Sequence, residues 1–127
     1  MFKHTLTLVC LLALVCAAST LTGCKKSAID QALDSDANGY VCLDCEAKFY
    51  TDREVFASHC PKCKKVNVEQ VLGFVCETDK TVMVAARSRG ARACSKCGKP
   101  ASGVTIPKEA DLKAWGAVKY AASDVGG

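Results

Sequence analysis

The stretch Gly39-Tyr-Val-Cys42-Leu-Asp-Cys45, followed after fourteen residues by Cys60-Pro-Lys-Cys63, returns 34 residues later. The second copy reads Gly73-Phe-Val-Cys76-Glu-Thr-Asp79, fourteen residues, then Cys94-Ser-Lys-Cys97. Arg53 and Arg87 match at the same offset, as do Lys65 and Lys99. A constant offset that keeps four ligand-type positions and their lead-in residues is an internal repeat.

Each unit spans only 22 residues from its first to its last ligand position. A unit that short buries too little apolar surface to fold alone and needs a metal or disulfides as a staple. The chain has ten cysteines, of which Cys10, Cys16 and Cys24 lie near its start. The remaining seven are an odd number, so disulfides within one chain cannot pair them all. Matched pairs with two residues between them are a ligand pattern more than a bridge pattern. Disulfides stay the alternative at this point, because they persist outside the cytoplasm.

Paired Cys-x2-Cys turns on neighbouring hairpins resemble the zinc-ribbon family. The resemblance implies a small, metal-stabilised, mainly β fold of two tandem hairpin units with a short C-terminal helix. It implies two zinc sites, Cys42, Cys45, Cys60 and Cys63 in the first, Cys76, Asp79, Cys94 and Cys97 in the second. Each turn aims two ligands at one point, and two turns complete a tetrahedron with Zn–S near ~2.3 Å. Asp79 stands where the repeat calls for a cysteine. A carboxylate oxygen binds zinc but is harder than a thiolate, so this site should exchange metal more readily. The alternative for Asp79 is drift, leaving three cysteines. Cys60-Pro-Lys-Cys63 also resembles the rubredoxin knuckle, which would hold iron for electron transfer. Rubredoxins separate their pairs more widely and usually follow each with glycine, whereas Glu46 follows Cys45 and Lys64 follows Cys63. Metal handling and thiol–disulfide exchange are further readings. His59 matches Ala93 in the repeat and reads as a packing or surface residue, not a ligand.

The chain opens with Met1-Phe-Lys-His4, then an apolar run over residues 5–18. That run is short for a membrane span of ~20 residues and suits a signal-peptide core. Leu21-Thr-Gly-Cys24 at its end resembles the lipobox of bacterial lipoproteins. The resemblance implies a signal peptide over 1–23, lipidation at Cys24 and a membrane anchor of two or three acyl chains, enough for stable binding. It places the protein at the bacterial cell envelope, on the periplasmic side of the outer membrane where there are two membranes and at the cell surface otherwise.

Residues 24–38 read as the lipidated cysteine and a tether, 39–67 as the first unit, 68–106 as the second, and 107–127 as a short helix and tail. Strand patterns cover Lys48-Phe-Tyr-Thr51, residues 68–75, Thr81-Val-Met-Val-Ala-Ala86 and residues 101–106. Residues 52–58 read as a hairpin connection or helical turn. Arg87, Arg89 and Arg92 sit at a hairpin tip, solvated or facing anionic groups. Pro107-Lys-Glu-Ala-Asp-Leu-Lys-Ala-Trp115 has proline and acids at a helix start. Leu112 and Trp115 can cover one face of the ribbons, Gly116 ends the helix, and the last residues are expected to fray.

The 17 Lys and Arg against 13 Asp and Glu give +4. Around a divalent ion the four thiolates of the first site would add −2 and the three of the second −1, Asp79 being already counted, which offsets most of the basic excess and leaves no nucleic-acid footprint. No Ser/His/Asp set, phosphate-cradling glycine loop or paired-carboxylate site is present in the sequence. The expectation is a lipid-anchored, non-enzymatic zinc module that serves as an interaction scaffold for an unknown protein partner, with iron as the alternative metal.

Overall fold

The computed structural model describes residues 27, 29–30, 34–90 and 92–127. The expected signal peptide and the lipidation site Cys24 lie outside the described residues, as does part of the tether. Among the described residues no helix is long and apolar enough to cross a membrane.

Among the described residues the fold is mainly β, with six strands and a few short helices. The strands are β1 (Ala37–Cys42), β2 (Lys48–Asp52), β3 (Val68–Val75), β4 (Val82–Ala86), β5 (Gly103–Thr105) and β6 (Val118–Lys119). A 3-10 turn, Arg87–Arg89, follows β4, and two helices, α1 (Glu109–Ala114) and α2 (Ala122–Val125), lie near the C-terminus. The sheet runs β4-β3-β1-β2-β6, with β5 paired to β3.

The repeat is visible in the register. In the first unit Tyr40 faces Phe49 on β2 and Gln70 on β3. Moved by the repeat offset, the same pairs are Phe74 with Met83 on β4 and Phe74 with Val104 on β5. Val41 with Lys48 and Glu69 becomes Val75 with Val82 and Gly103 in the same way. Each unit is therefore a three-stranded ribbon, and β3 belongs to both. Its residues 68–70 close the first ribbon against β1, and its residues 71–75 open the second against β4.

Both lead-in glycines are points of close approach. A Cβ on Gly39 would overlap Leu112 Cδ2 and come within 2.7 Å of Val71 Cγ2. A Cβ on Gly73 would stand 2.8 Å from Thr105 Cγ2 and 2.9 Å from Val82 Cγ1. The missing side chain at Gly39 lets α1 lower Leu112, which is fully buried, onto the sheet with Ala37, Tyr50, Val71 and Ala117. Helix α1 is fixed at its start, where Glu109 N–H donates to Asp36 Oδ1 at 2.8 Å and Lys108 N–H to Asp111 Oδ2 at 3.0 Å. Trp115 packs half-buried against this core, with Lys48 Nζ 4.8 Å from its ring centre. As expected, Gly116 ends the helix, at a φ of 91°.

The expectation of a frayed tail is corrected. β6 pairs in parallel with β2, and Val125 of α2 is fully buried against Tyr40 and Phe49. Tyr40 and Phe49 stack at 5.3 Å, and Tyr120 meets Phe49 edge-on at 6.2 Å. Ser58 N–H donates to the Val125 carbonyl at 2.9 Å. Residues 52–58, expected as a hairpin connection or a helical turn, are instead the end of β2, a turn closed by Val55 N–H donating to the Asp52 carbonyl at 3.0 Å, and an irregular segment that Ser58 ties to the C-terminus. The tail folds because Val125 packs against Tyr40 and Phe49, a tertiary contact with no local sequence signal. β5 is shorter than the expected 101–106 strand.

Candidate metal centres

Four turns carry the ligand residues, and all four share one backbone geometry. The first ligand residue of each accepts a hydrogen bond from the residue four places on: Glu46 to Cys42, Lys64 to Cys60, Lys80 to Cys76, Gly98 to Cys94, at 2.8–3.0 Å. Those four donors are left-handed, with φ of 57°, 62°, 60° and 72°. Each turn then closes with the first ligand's N–H donating to the residue five places on, Ala47, Lys65, Thr81 or Lys99. Only Gly98 takes that conformation without a steric cost of roughly 1–2 kcal/mol. The glycine thought missing from the first unit is not required; Glu46 and Lys64 adopt its conformation.

The turns bring the eight predicted ligands together as two sets, Cys42 with Cys45, Cys60 and Cys63, and Cys76 with Asp79, Cys94 and Cys97. Within each set the ligand atoms lie inside 4.8 Å of one another. The short edges obey the repeat. Cys42 Sγ is 3.5 Å from Cys63 Sγ, and Cys76 Sγ is 3.5 Å from Cys97 Sγ. Cys45 Sγ is 3.6 Å from Cys60 Sγ, and Asp79 Oδ2 is 3.3 Å from Cys94 Sγ. Sulfurs each ~2.3 Å from one ion stand about 3.8 Å apart in a tetrahedron, so both sets fit a small tetrahedral ion with little movement. All seven described cysteines are free thiols, and the closest sulfurs are far outside the ~2.05 Å of a disulfide bond.

Electrostatics point the same way. Burial opposes the Cys60 thiolate, but the N–H groups of Cys63 and Lys62 and the thiols of Cys45 and Cys63 outweigh it and bring the thiol to about 7. The Ala47 N–H favours the Cys45 thiolate, yet partial desolvation and the thiols of Cys42, Cys60 and Cys63 push it up to about 12. In the second set the Asp79 N–H helps to lower Cys76, while Cys94 is raised by burial, the Asp79 carboxylate and Cys76 despite the Cys97 and Lys96 N–H groups. Each thiolate formed hinders the next, and only a cation makes four anionic ligands compatible at one point.

Asp79 is built into its site. The Thr81 side chain and the Thr81 N–H, which donates to Oδ1 at 3.0 Å, hold its carboxyl well below the usual carboxylate range. The Thr81 hydroxyl is buried without a partner of hydrogen-bond geometry, so it acts by proximity. In the first unit the Ala47 N–H favours the Cys45 thiolate. The longer carboxylate gives one oxygen to the matching amide and keeps the other at the ligand position.

Other titratable residues fall elsewhere. His59 sits beside Ser58 and Gly126, apart from both ligand sets. Glu77 is on the surface, paired with Lys80 at 3.3 Å. Arg89 and Arg92 line a cleft of about 370 Å³ with Lys48, Glu46, Cys42 and Trp115, a grouping that needed the tertiary fold to become visible. Compared with family models, with curated proteins and with solved structures, the chain matches none.

Proposed function

We propose that the chain is a lipid-anchored tandem zinc module of the bacterial cell envelope, non-enzymatic, that presents β-hairpin surface to a protein partner. One observation carries the metal reading: eight ligand atoms form two compact sets of four whose short edges match at one repeat offset. Each set supplies four protein ligands, the closed arrangement of structural zinc, whereas catalytic zinc keeps a position for water. Cys42, Cys45, Cys60 and Cys63 would hold one ion and Cys76, Asp79, Cys94 and Cys97 the other. The ion would supply the cross-link that ribbons of this size lack. The anchor reading rests on Leu21-Thr-Gly-Cys24 at the end of the apolar run.

Metal analysis with a visible spectrum tests the centre. A colourless protein with two zinc ions per chain supports it; a red, iron-containing protein favours the rubredoxin-like alternative, and a metal-free protein that loses hydrogens pairwise by mass spectrometry favours thiol–disulfide exchange. For the anchor, Cys24→Ala is expected to abolish lipidation, and a variant that still partitions fully with membranes overturns that assignment.

A further inference from the structure

Arg89 and Arg92 belong by sequence to the second unit, between its ligands Asp79 and Cys94. In space they line a cleft of about 370 Å³ together with residues of the first unit, Cys42 of β1, Glu46 in the turn that follows, and Lys48 at the start of β2. In the strand order β4-β3-β1-β2 this cleft lies over the sheet face, with Trp115 at the end of α1 beside it. Two ties fix the placement. Ser88 donates its N–H and its hydroxyl to the Glu69 carboxylate of β3, which holds the Arg87–Arg89 turn against the sheet. Lys48 Nζ lies 4.8 Å from the Trp115 ring centre and donates to the Trp115 carbonyl at 3.3 Å.

The charges of the cleft do not balance among themselves. Lys48, Arg89 and Arg92 share it with one carboxylate, Glu46, which leaves a surplus of two positive charges. Among the described residues neither arginine is ion-paired with a carboxylate. Four thiolates around a divalent ion carry −2, and Cys42, one of the first set, stands in the wall of this cleft. The two quantities match. A cleft of this volume is on the order of 10 Å across, comparable with the ~8 Å Debye length at physiological ionic strength, so the set and the cations feel one another through only partial screening.

The cluster is not inherited from the repeat. At the 34-residue offset Lys48 becomes Val82 and Glu46 becomes Lys80, while Arg89 and Arg92 answer to Val55 and Ser58. Val55 packs against Tyr40 and Phe49, and Ser58 Oγ donates to the Val125 carbonyl at 3.1 Å, so the matching segment of the first unit is taken up by the core. The cations gather only where the second unit meets the first.

We propose that Arg89 and Arg92 are the counter-charges of the first ligand set. With Lys48, the basic turn of the second unit supplies the positive charge that lets Cys42, Cys45, Cys60 and Cys63 hold a divalent ion as four thiolates. The inference rests on the metal reading of the two sets and gives it a direction, because the first set depends on a turn of the second unit and the second set does not depend on that turn's charge. The effect acts through space, so a lysine at either position serves and the forked geometry of arginine is not required. The cleft then belongs to the metal set and not to a dissolved anion.

The test uses the full chain in detergent, loaded with an NMR-active cadmium isotope, whose resonance separates a four-sulfur site from one of three sulfurs and an oxygen. A chelator then competes for the metal, and the two resonances report the two sites. Arg89→Gln and Arg92→Gln are each expected to weaken the first site about three- to ten-fold, the effect of one charge on a −2 centre at this range in a high dielectric, and to leave the second as it was. Arg89→Lys and Arg92→Lys keep the charge and are expected to hold the first site within about two-fold of the unaltered chain. In about 1 M of a non-coordinating salt, where the Debye length falls to ~3 Å, the gap between the glutamine and lysine variants is expected to close. The proposal is overturned if the glutamine variants weaken both sites alike or neither, if the lysine variants weaken the first site as much as the glutamine ones, or if the gap survives the salt. It is overturned as well if inorganic phosphate, titrated into the fully loaded chain, changes Trp115 emission saturably and Arg89→Gln abolishes that change, since the cleft would then serve a dissolved anion. A chain that takes up no cadmium overturns the metal reading itself, and this inference with it.

Discussion

Asp79 Oδ2 stands 3.3 Å from Cys94 Sγ, in the place that Cys45 Sγ takes at 3.6 Å from Cys60 Sγ. The contact is conserved within the molecule although the ligand chemistry has changed. Asp79→Ala should therefore lower the stoichiometry toward one ion per chain, while Asp44→Ala, on the exposed side of its turn, leaves it at two. Losing an outer partner of a metal ligand already weakens binding roughly 10–100-fold, and loss of a ligand should exceed that. Asp79→Cys should move the second site toward the first in chelator competition. Unchanged stoichiometry in Asp79→Ala would remove it from the ligand set.

Acid should separate the sites by their proton count. Metal binding releases the thiol protons, so at a pH where every thiol is protonated the first site should release four and the second three. Calorimetry in buffers of different ionisation enthalpy counts them, and equal counts would argue that the carboxylate is not a partner.

The left-handed residues predict a gain. Glu46→Gly and Lys64→Gly should each raise stability by about 1 kcal/mol, the strain relieved being partly offset by the freer unfolded chain. Gly98→Ala should cost about as much, since an added Cβ there meets nothing within 4 Å and the effect is purely backbone. Denaturant midpoints at constant slope measure both.

Gly39 and Leu112 should behave as a coupled pair. Gly39→Ala is expected to destabilise by about 1–3 kcal/mol through overpacking, because Leu112 is buried and has nowhere to move. In Leu112→Ala the same glycine change should cost clearly less, only the approach to Val71 Cγ2 at 2.7 Å remaining. A double-mutant cycle whose two changes simply add would contradict the contact.

The Glu109 carboxyl is held below its usual range by Lys113 at 2.8 Å and the Tyr50 hydroxyl at 3.0 Å. A depressed folded value means the contribution is whole above the ordinary glutamate value of ~4.3 and fades as pH falls through the folded one. The stability difference between the protein and Glu109→Gln should be flat above that point and shrink below it. A difference that does not vary with pH would detach Glu109 from Tyr50 and Lys113.

The repeat made most of this architecture legible, because the Cys-x2-Cys spacing and lead-in glycines are local signals. Both hairpins and all eight residues of the two sets follow from it, and Ala93 as the partner of His59 kept the histidine out of the first. The second role of β3 was not legible, since Val-Glu-Gln-Val-Leu-Gly-Phe-Val reads as one strand whether it serves one ribbon or two. The buried Val125 was hidden too, because its partners Tyr40 and Phe49 are remote in sequence. Glu46, Lys64 and Lys80 gave no warning of a left-handed backbone, as the turn's hydrogen bonds impose it on side chains that would otherwise avoid it.

The shared strand has an arithmetic consequence. A three-stranded ribbon followed by an independent copy would need six strands to carry two ligand sets, yet here five do so, because β3 is the last strand of one and the first of the next. Each further copy of the 34-residue segment would add two strands and one ligand set, so the design is an open-ended ladder with the ligand sets as rungs. Here it stops at β5, where the chain leaves for α1 after three residues of strand and comes back across the first rung.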